Sequence, residues 1–162
     1  MKAAIKKLSE IKDQDVFWHT LVVEAVRMTT SDAGYFAVFN QVEQTLTVVA
    51  TYRATSTATR LKKPASYPVA ETGAWGDCAR QKHVVMINET APQTMPRQAG
   101  FPVSRLKVAR QLNVPVMPAS QLAGILGVAN KQSDYTTPDA TLLQMFASQV
   151  MPYARAFMDN KI

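Results

Sequence analysis

Hydrophobic positions recur with two different periods along the chain, and these periods predict both helices and strands. The segment from 5 to 29 follows a helical period, and Asp13 divides it into two pieces as a plausible N-cap of the second. At the other end, Thr137 precedes Pro138 and begins a helix that is predicted to run to the end of the chain. Helices are therefore expected at both ends.

Between these helices, short runs rich in β-branched residues predict strands. The predicted strands span residues 35–40, 44–53, 83–88, 111–117 and 121–130. A further extended segment around Pro68 leads into a short helix near 74–81. The order favours an α+β fold with a central antiparallel sheet of about five to six strands.

The stretch from 89 to 105 contains three prolines and one glycine and fits neither period. Loops of this length are uncommon inside compact domains and tend to be functional. We therefore expect this long loop to border any binding site.

Composition indicates one globular domain over residues 1–162, since 47% of residues are hydrophobic and 19% are charged. The single cysteine, Cys78, excludes an internal disulfide and fits a reducing compartment. No apolar run is long enough to cross a bilayer, and the N-terminus lacks the apolar core of a secretion signal. A cytoplasmic location without membrane contact is the expectation.

The net charge of +6 permits anionic partners. The basic residues are divided among the first helix and two acid-free stretches, 44–70 and 90–133, where they fall largely in predicted loops. Nucleic-acid binding would instead call for one basic face with exposed aromatic side chains. Nucleic acid therefore ranks last among the candidate partners.

Three stretches, 73–88, 109–117 and 122–139, resemble sequence motifs of the GAF domain family. In the first of them Val84 stands where the family usually has Pro. The resemblance covers roughly residues 16–157. It implies a GAF/PAS-like sheet with the terminal helices on one face and the short helix and long loop over the other.

The third stretch resembles the last motif of cyclic-nucleotide-binding GAF domains, with Ala140 in place of the family's Glu. Its matching residues are Asn130, Lys131, Tyr135 and Asp139. The resemblance implies that Lys131 and Asp139 pair as a latch beside the pocket without touching a ligand. The alternative is that Asn130 and Lys131 simply leave the sheet and Asp139 is only an N-cap.

The resemblance also places a ligand pocket under the short helix and the long loop. The candidate ligand-binding residues are Trp75, Cys78, Asn88, Arg105 and Arg110. The arginines favour an anionic or nucleotide-like ligand, because a guanidinium captures carboxylates and phosphates. Each residue also has a structural interpretation: a core tryptophan, an inert thiol, an amide bonded to main chain, and two surface arginines.

No motif for catalysis or metal binding emerges from the residues. The two histidines, His19 and His83, have no partners at ligand spacing. Some GAF-fold proteins reduce free methionine sulfoxide, but that chemistry needs a nucleophilic and a resolving cysteine. The chain is therefore expected not to be an enzyme by itself and to need no cofactor beyond an unknown small-molecule ligand.

The resulting hypothesis is a regulatory module that binds a small-molecule effector and signals through its terminal helices. Those helices are expected to form a homodimer, and the chain is expected to be the N-terminal part of a longer protein with a covalently linked output domain. The alternative is a ligand-free dimerisation module whose pocket is filled by its own side chains, such as Met95 and Phe101.

Overall fold

The computed structural model describes residues 1–55, 64–89, 101–103 and 106–158. Its strands are β1 Ala33–Asn40, β2 Thr45–Arg53, β3 Ala65–Pro68, β4 Val85–Ile87, β5 Gln111–Val116 and β6 Gly124–Ala129. They form one antiparallel sheet with the order β3-β2-β1-β6-β5-β4. The predicted α+β class with a central antiparallel sheet is confirmed.

Among the described residues, four α-helices pack on the sheet: α1 Lys2–Ser9, α2 Gln14–Met28, α3 Ala74–Gln81 and α4 Thr137–Met158. The side chains of α1, α2 and α4 share one hydrophobic core with one sheet face, which we call the helix face. The short helix α3 packs on the opposite face, which we call the α3 face.

The N-terminal helices begin and end where local chemistry requires. Asp13 caps α2, since its Oδ1 accepts a hydrogen bond of 3.0 Å from the main-chain N–H of Val16. Glu24 of α2 forms an ion pair of 3.5 Å with Lys7 of α1 and another of 3.3 Å with Arg27 of its own helix. The Lys7–Glu24 pair connects α1 to α2.

Aromatic side chains fill the helix face. Trp18 of α2 stacks on Phe36 of β1 with ring centroids 5.0 Å apart, and both are buried. Phe17 packs against Phe157 of α4 at 4.7 Å. Helices α2 and α4 therefore meet on the helix face.

On the α3 face, the Tyr35 ring packs directly against the backbone of Gly127. Tyr35, Gly127 and Asn113 occupy one row across β1, β6 and β5. A Cβ atom on Gly127 would overlap the Tyr35 ring, so only glycine lets that ring lie across β6. Gly127 thus brings the end of Tyr35 to β5.

The predicted elements lie close to the observed ones, and the differences fall at their ends. The strand predicted at 121–130 begins only at Gly124, because Ala119 and Ser120 form a turn with positive φ. Most of the predicted long loop lies outside the described residues, including Met95 and Arg105. Within the described ranges, no helix is both long enough and apolar enough to span a membrane.

Candidate functional site

Three polar side chains form a buried chain on the α3 face. The Tyr35 hydroxyl donates a hydrogen bond of 2.5 Å to Asn113 Oδ1, and Asn113 Nδ2 donates one of 2.9 Å to Gln111 Oε1. All three residues are at most 1% exposed. Burying an amide side chain costs free energy unless it is hydrogen-bonded. The presence of these three polar side chains inside an apolar layer therefore requires an explanation.

Aromatic rings cover this polar chain. Trp75 of α3 and Phe101 both pack edge-on against the Tyr35 ring, with centroid distances of 5.6 Å and 4.9 Å. The indole Nε1 of Trp75 is buried and makes no hydrogen bond to any described residue. The α3 face therefore holds a donor without a partner beside a polar chain.

Cys78 lies in the same layer and is completely buried. Burial, and secondarily the nearby Asp77 carboxylate, raises the pKa of its thiol far above the usual range. Burial likewise raises the pKa of Tyr35. Both groups therefore stay protonated, and Cys78 is not a reactive thiolate.

Asn88 joins the end of β4 to the segment that leads into α4. Its Oδ1 accepts a hydrogen bond of 2.7 Å from the Tyr135 main-chain N–H, and its Nδ2 donates one of 3.1 Å to the Tyr135 carbonyl. Both polar atoms of the side chain thus bind main chain.

Arg110 also binds its own chain. Its Nη1 donates a hydrogen bond of 2.6 Å to the Lys131 carbonyl, and its Nε lies 3.7 Å from Asp134 Oδ1. The guanidinium therefore braces the turn after β6. The other candidate arginine, Arg105, lies outside the described residues.

Lys131 and Asp139 form an ion pair at the start of α4. Lys131 Nζ lies 2.8 Å from Asp139 Oδ2, which also accepts a hydrogen bond of 2.9 Å from the Thr136 main-chain N–H. Burial alone would raise the pKa of Asp139, but these hydrogen bonds together hold it below the ordinary value. The pair is mostly enclosed, with 20% of the Lys131 and 14% of the Asp139 side chain exposed.

Asn130 and Tyr135 complete this region. Asn130 has a positive φ of 65°, and its Oδ1 accepts a hydrogen bond of 2.8 Å from Ala109 N–H while its Nδ2 donates one of 2.9 Å to the Lys107 carbonyl. The Tyr135 hydroxyl lies 2.6 Å from Ser31 Oγ. Burial raises the pKa of Tyr135 to about 12, so this hydroxyl remains neutral.

The structure divides the candidate ligand-binding residues between two places. Trp75 and Cys78 lie in the layer over the buried polar chain, whereas Asn88 and Arg110 hold the connection between the sheet and α4. Tyr35, Gln111 and Asn113 were not among the residues predicted from the sequence. The available signal was the pair of amides two residues apart in a short apolar strand, which places both on one face.

No group of three or more metal-ligating side chains occurs in the part of the chain that the structure describes. His83 is exposed, and its Nδ1 lies 3.0 Å from the Val84 carbonyl. His19 packs edge-on against Tyr52 at 5.8 Å. The described residues therefore suggest no metal centre.

Comparison with known proteins gives a consistent result. The family model described as GAF domain matches residues 13–151. A curated relative, the methyl sulfide methyltransferase-associated sensor of Methanosarcina acetivorans, is 31% identical over 123 residues, which are 75% of this chain. The match spans only 12% of that relative.

Solved structures share the fold at low identity. The GAF domain of an Acinetobacter phosphoenolpyruvate-protein phosphotransferase has a TM-score of 0.75 at 18% identity, covering 96% of this chain and 92% of that one. Free methionine-R-sulfoxide reductase from Neisseria meningitidis, solved with its substrate, has a TM-score of 0.72 at 12% identity, covering 98% and 88%. At such identities these likenesses show the fold alone.

Proposed function

The chain belongs to the GAF domain family, as its sequence motifs indicated, and from this membership we propose that it binds a small anionic or nucleotide-like effector and signals through its terminal helices. GAF domains are regulatory sensor modules. In this proposal the signal passes to a covalently linked output domain. The sensor from Methanosarcina acetivorans, of which the match spans 12%, is consistent with such an arrangement.

The buried polar chain on the α3 face is the observation that supports ligand binding. A domain that only needed a core would gain more from apolar residues at positions 111 and 113 than from two buried amides. A ligand that hydrogen-bonds these amides, or the free Nε1 of Trp75, gives them a function. The site lies where Phe101 now covers Tyr35.

The neutral donors and acceptors of this site suit a heterocyclic ring. Amide side chains offer a donor and an acceptor side by side, which is how proteins commonly bind base edges. In the proposal Arg105 supplies the positive charge for a carboxylate or phosphate. Arg110 would reach an anion only by exchanging its contact with Asp134 for the ligand.

A route for the signal begins at Asn88, which directly precedes the long loop. Its two hydrogen bonds to Tyr135 connect that position to the start of α4. The Tyr135 hydroxyl in turn contacts Ser31, between α2 and β1. A ligand that displaces Asn88 can therefore bias both helical ends of the module, provided that it prefers one of two arrangements.

In this proposal the module has no catalytic step of its own. The free methionine-R-sulfoxide reductase shares the fold, but a thiol–disulfide cycle needs two cysteines, and this chain has one. That cysteine, Cys78, is buried and protonated.

Native mass spectrometry of the purified protein, followed by a thermal-shift screen, tests the proposal. The screen contains nucleotides, cyclic nucleotides and small carboxylates. A true ligand raises the melting temperature by mass action, in a saturable manner. Tyr35→Phe removes one hydroxyl from the polar chain and is expected to weaken that ligand, whereas Tyr67→Phe, on the same layer, is the matched control.

The alternative function, a ligand-free dimerisation module, is favoured by Phe101. This side chain is 8% exposed and already fills space over Tyr35. In that case no compound would stabilise the protein, and Phe101→Ala would only lower its stability. If Phe101 is instead a movable cover, the same substitution leaves room for ligand and preserves or strengthens binding.

A further inference from the structure

A cleft separate from the buried polar chain lies beside α4, where β5 ends. It is a half-open cleft of about 540 Å³. Its lining comes from residues 82–84, from residues 115–118 and from Gln144, Ala147, Ser148 and Met151 of α4. None of these residues belongs to the site on the α3 face.

The cleft exists because β4 is short. Pairing between β4 and β5 ends at Val85 and Asn113, so from Val114 to Val116 β5 pairs with β6 on one side and with no described strand on the other. Pro115, which has no N–H to donate, lies opposite Ile125 of β6 at this one-sided edge, where proline is tolerated. The end of β5 is therefore open to a molecule lying between the sheet and α4.

The cleft combines an apolar floor with basic residues at one side. Valine, proline and methionine side chains form an apolar floor, and the two methionines, Met117 and Met151, can adapt to a ligand's shape. Lys82 and His83 lie at one side, and both are exposed. Among the described residues that line the cleft, none carries a carboxylate. The charge is therefore positive and uncompensated within the cleft.

The backbone around the cleft is strained. Ala119 and Ser120, in the turn that follows Pro118, have φ values of 54° and 66°; Lys82 has a φ of 57° because it ends α3 as its C-cap. Positive φ is energetically unfavourable for residues with a Cβ atom, and such residues are enriched at ligand sites. The Gln121 N–H closes this turn onto the Pro118 carbonyl at 3.1 Å.

We propose that this cleft binds a small carboxylate that carries an apolar chain or ring. The carboxylate pairs with Lys82, and Gln144 or Ser148 of α4 hydrogen-bonds to it. The apolar part lies on Val116, Met117 and Met151. The volume is in the range of small-molecule pockets. Because the ligand contacts both β5 and α4, it would brace that helix independently of any effector on the α3 face.

Octanoate is the probe that tests this proposal, with octylamine as the charge-reversed control. Proteins labelled with ¹³C at the methionine methyl groups give one resonance for each of the eight methionines. We expect octanoate to shift the Met117 and Met151 resonances saturably, with a dissociation constant on the order of a millimolar for a probe of this size. Met145, exposed on α4 outside the cleft, serves as the internal reference.

Two pairs of substitutions test separately the charge of Lys82 and the open volume of the cleft. Lys82→Gln should weaken octanoate roughly tenfold, as one charge-assisted hydrogen bond is lost, while Lys12→Gln, also exposed, should not. Ser148→Phe should fill the cleft and abolish the shifts, whereas Gln149→Phe on the same helix should leave them.

Three results would overturn the proposal. They are the absence of saturable shifts at Met117 and Met151, equal affinity for octylamine, and unchanged affinity in the Lys82→Gln protein. The effector proposed for the α3 face is tested by separate compounds and by Tyr35→Phe, so each proposal can fail alone.

Discussion

Asp139 concentrates several interactions in one side chain. Its carboxylate accepts hydrogen bonds from Lys131 Nζ, from the Thr136 N–H and from the Thr136 hydroxyl. A carboxylate at a helix N-terminus is also favoured by the helix dipole. We interpret the Lys131–Asp139 pair as a latch that fixes the angle at which α4 leaves the sheet.

Asp139→Asn is predicted to lower the free energy of unfolding by about 1–3 kcal/mol at neutral pH, because a charge-assisted hydrogen bond is lost. Urea unfolding measures this change. Asp13→Asn is the matched control, since Asp13 caps α2 by a hydrogen bond to Val16 and asparagine caps equally well. Equal losses in the two variants would contradict the latch.

The same pair predicts a pH dependence. The folded-state pKa of Asp139 lies below its unfolded value of about 3.9, so its contribution is fully present above that value. It is lost as the pH falls through the folded-state pKa. The stability difference between the wild type and Asp139→Asn should therefore shrink below about pH 4. A difference that stays constant from neutral to acid pH would exclude this contribution.

Gly127 sets the position of Tyr35, because any larger residue would overlap its ring. Gly127→Ala is predicted to destabilise the protein by about 2–3 kcal/mol through overpacking. In a Tyr35→Ala background the same substitution should cost less, because the ring is gone and Asn113 Oδ1, 2.7 Å from the added Cβ position, is the close atom that remains. A double-mutant cycle by urea unfolding measures this coupling. Additive effects would show that Tyr35 does not cross β6 at Gly127.

At the scale of elements, Asn88 connects β4 to the start of α4 through two hydrogen bonds with the Tyr135 main chain. Asn88→Ala should lower the free energy of unfolding by about 1–3 kcal/mol, since two partly buried main-chain groups lose their partner. Hydrogen exchange of the Tyr135 amide should accelerate with it.

Asn40→Ala is the control for this substitution. Asn40 accepts a hydrogen bond from Glu43 N–H in the exposed connection between β1 and β2, far from α4. The Asn40→Ala substitution should leave the hydrogen-exchange rate of the Tyr135 amide unchanged. If Asn88→Ala also leaves that amide protected, the proposed signal route through Asn88 is wrong.

The sequence predicted the elements well where local chemistry determines them. Asp13 caps α2, and α4 begins at Thr137, as predicted. The hydrogen-bonded chain from Tyr35 to Gln111 could not be predicted from the sequence, because it depends on the register of β1, β6 and β5 together. Arg110 was predicted to bind a ligand. Its hydrogen bond to the Lys131 carbonyl could not be predicted, because it depends on how the chain folds after β6.

At the scale of the whole molecule, we propose that the module forms a homodimer through its terminal helices. Val16 of α2 and Met145 and Tyr153 of α4 are large apolar residues that remain 39%, 48% and 40% exposed. Isolated exposed apolar residues are common, so their role requires a test of association.

Met145→Glu should raise the dimer dissociation constant by at least about tenfold, because a charge would enter an apolar interface. Sedimentation velocity over a range of concentrations measures this constant. Val42→Glu is the control, since Val42 is 93% exposed in the connection between β1 and β2. Equal behaviour of the two variants would show that α4 is not in the interface.

The most direct measurement of ligand binding on the α3 face uses the two tryptophans. Trp18 lies on the helix face and Trp75 on the α3 face, and both have buried Nε1 atoms without a described hydrogen-bond partner. Their indole N–H groups give two separate signals in a ¹⁵N–¹H correlation spectrum. Addition of the stabilising effector should shift the Trp75 signal saturably and leave that of Trp18 in place. A stabilising compound that moves neither signal, or only that of Trp18, would contradict a ligand site on the α3 face.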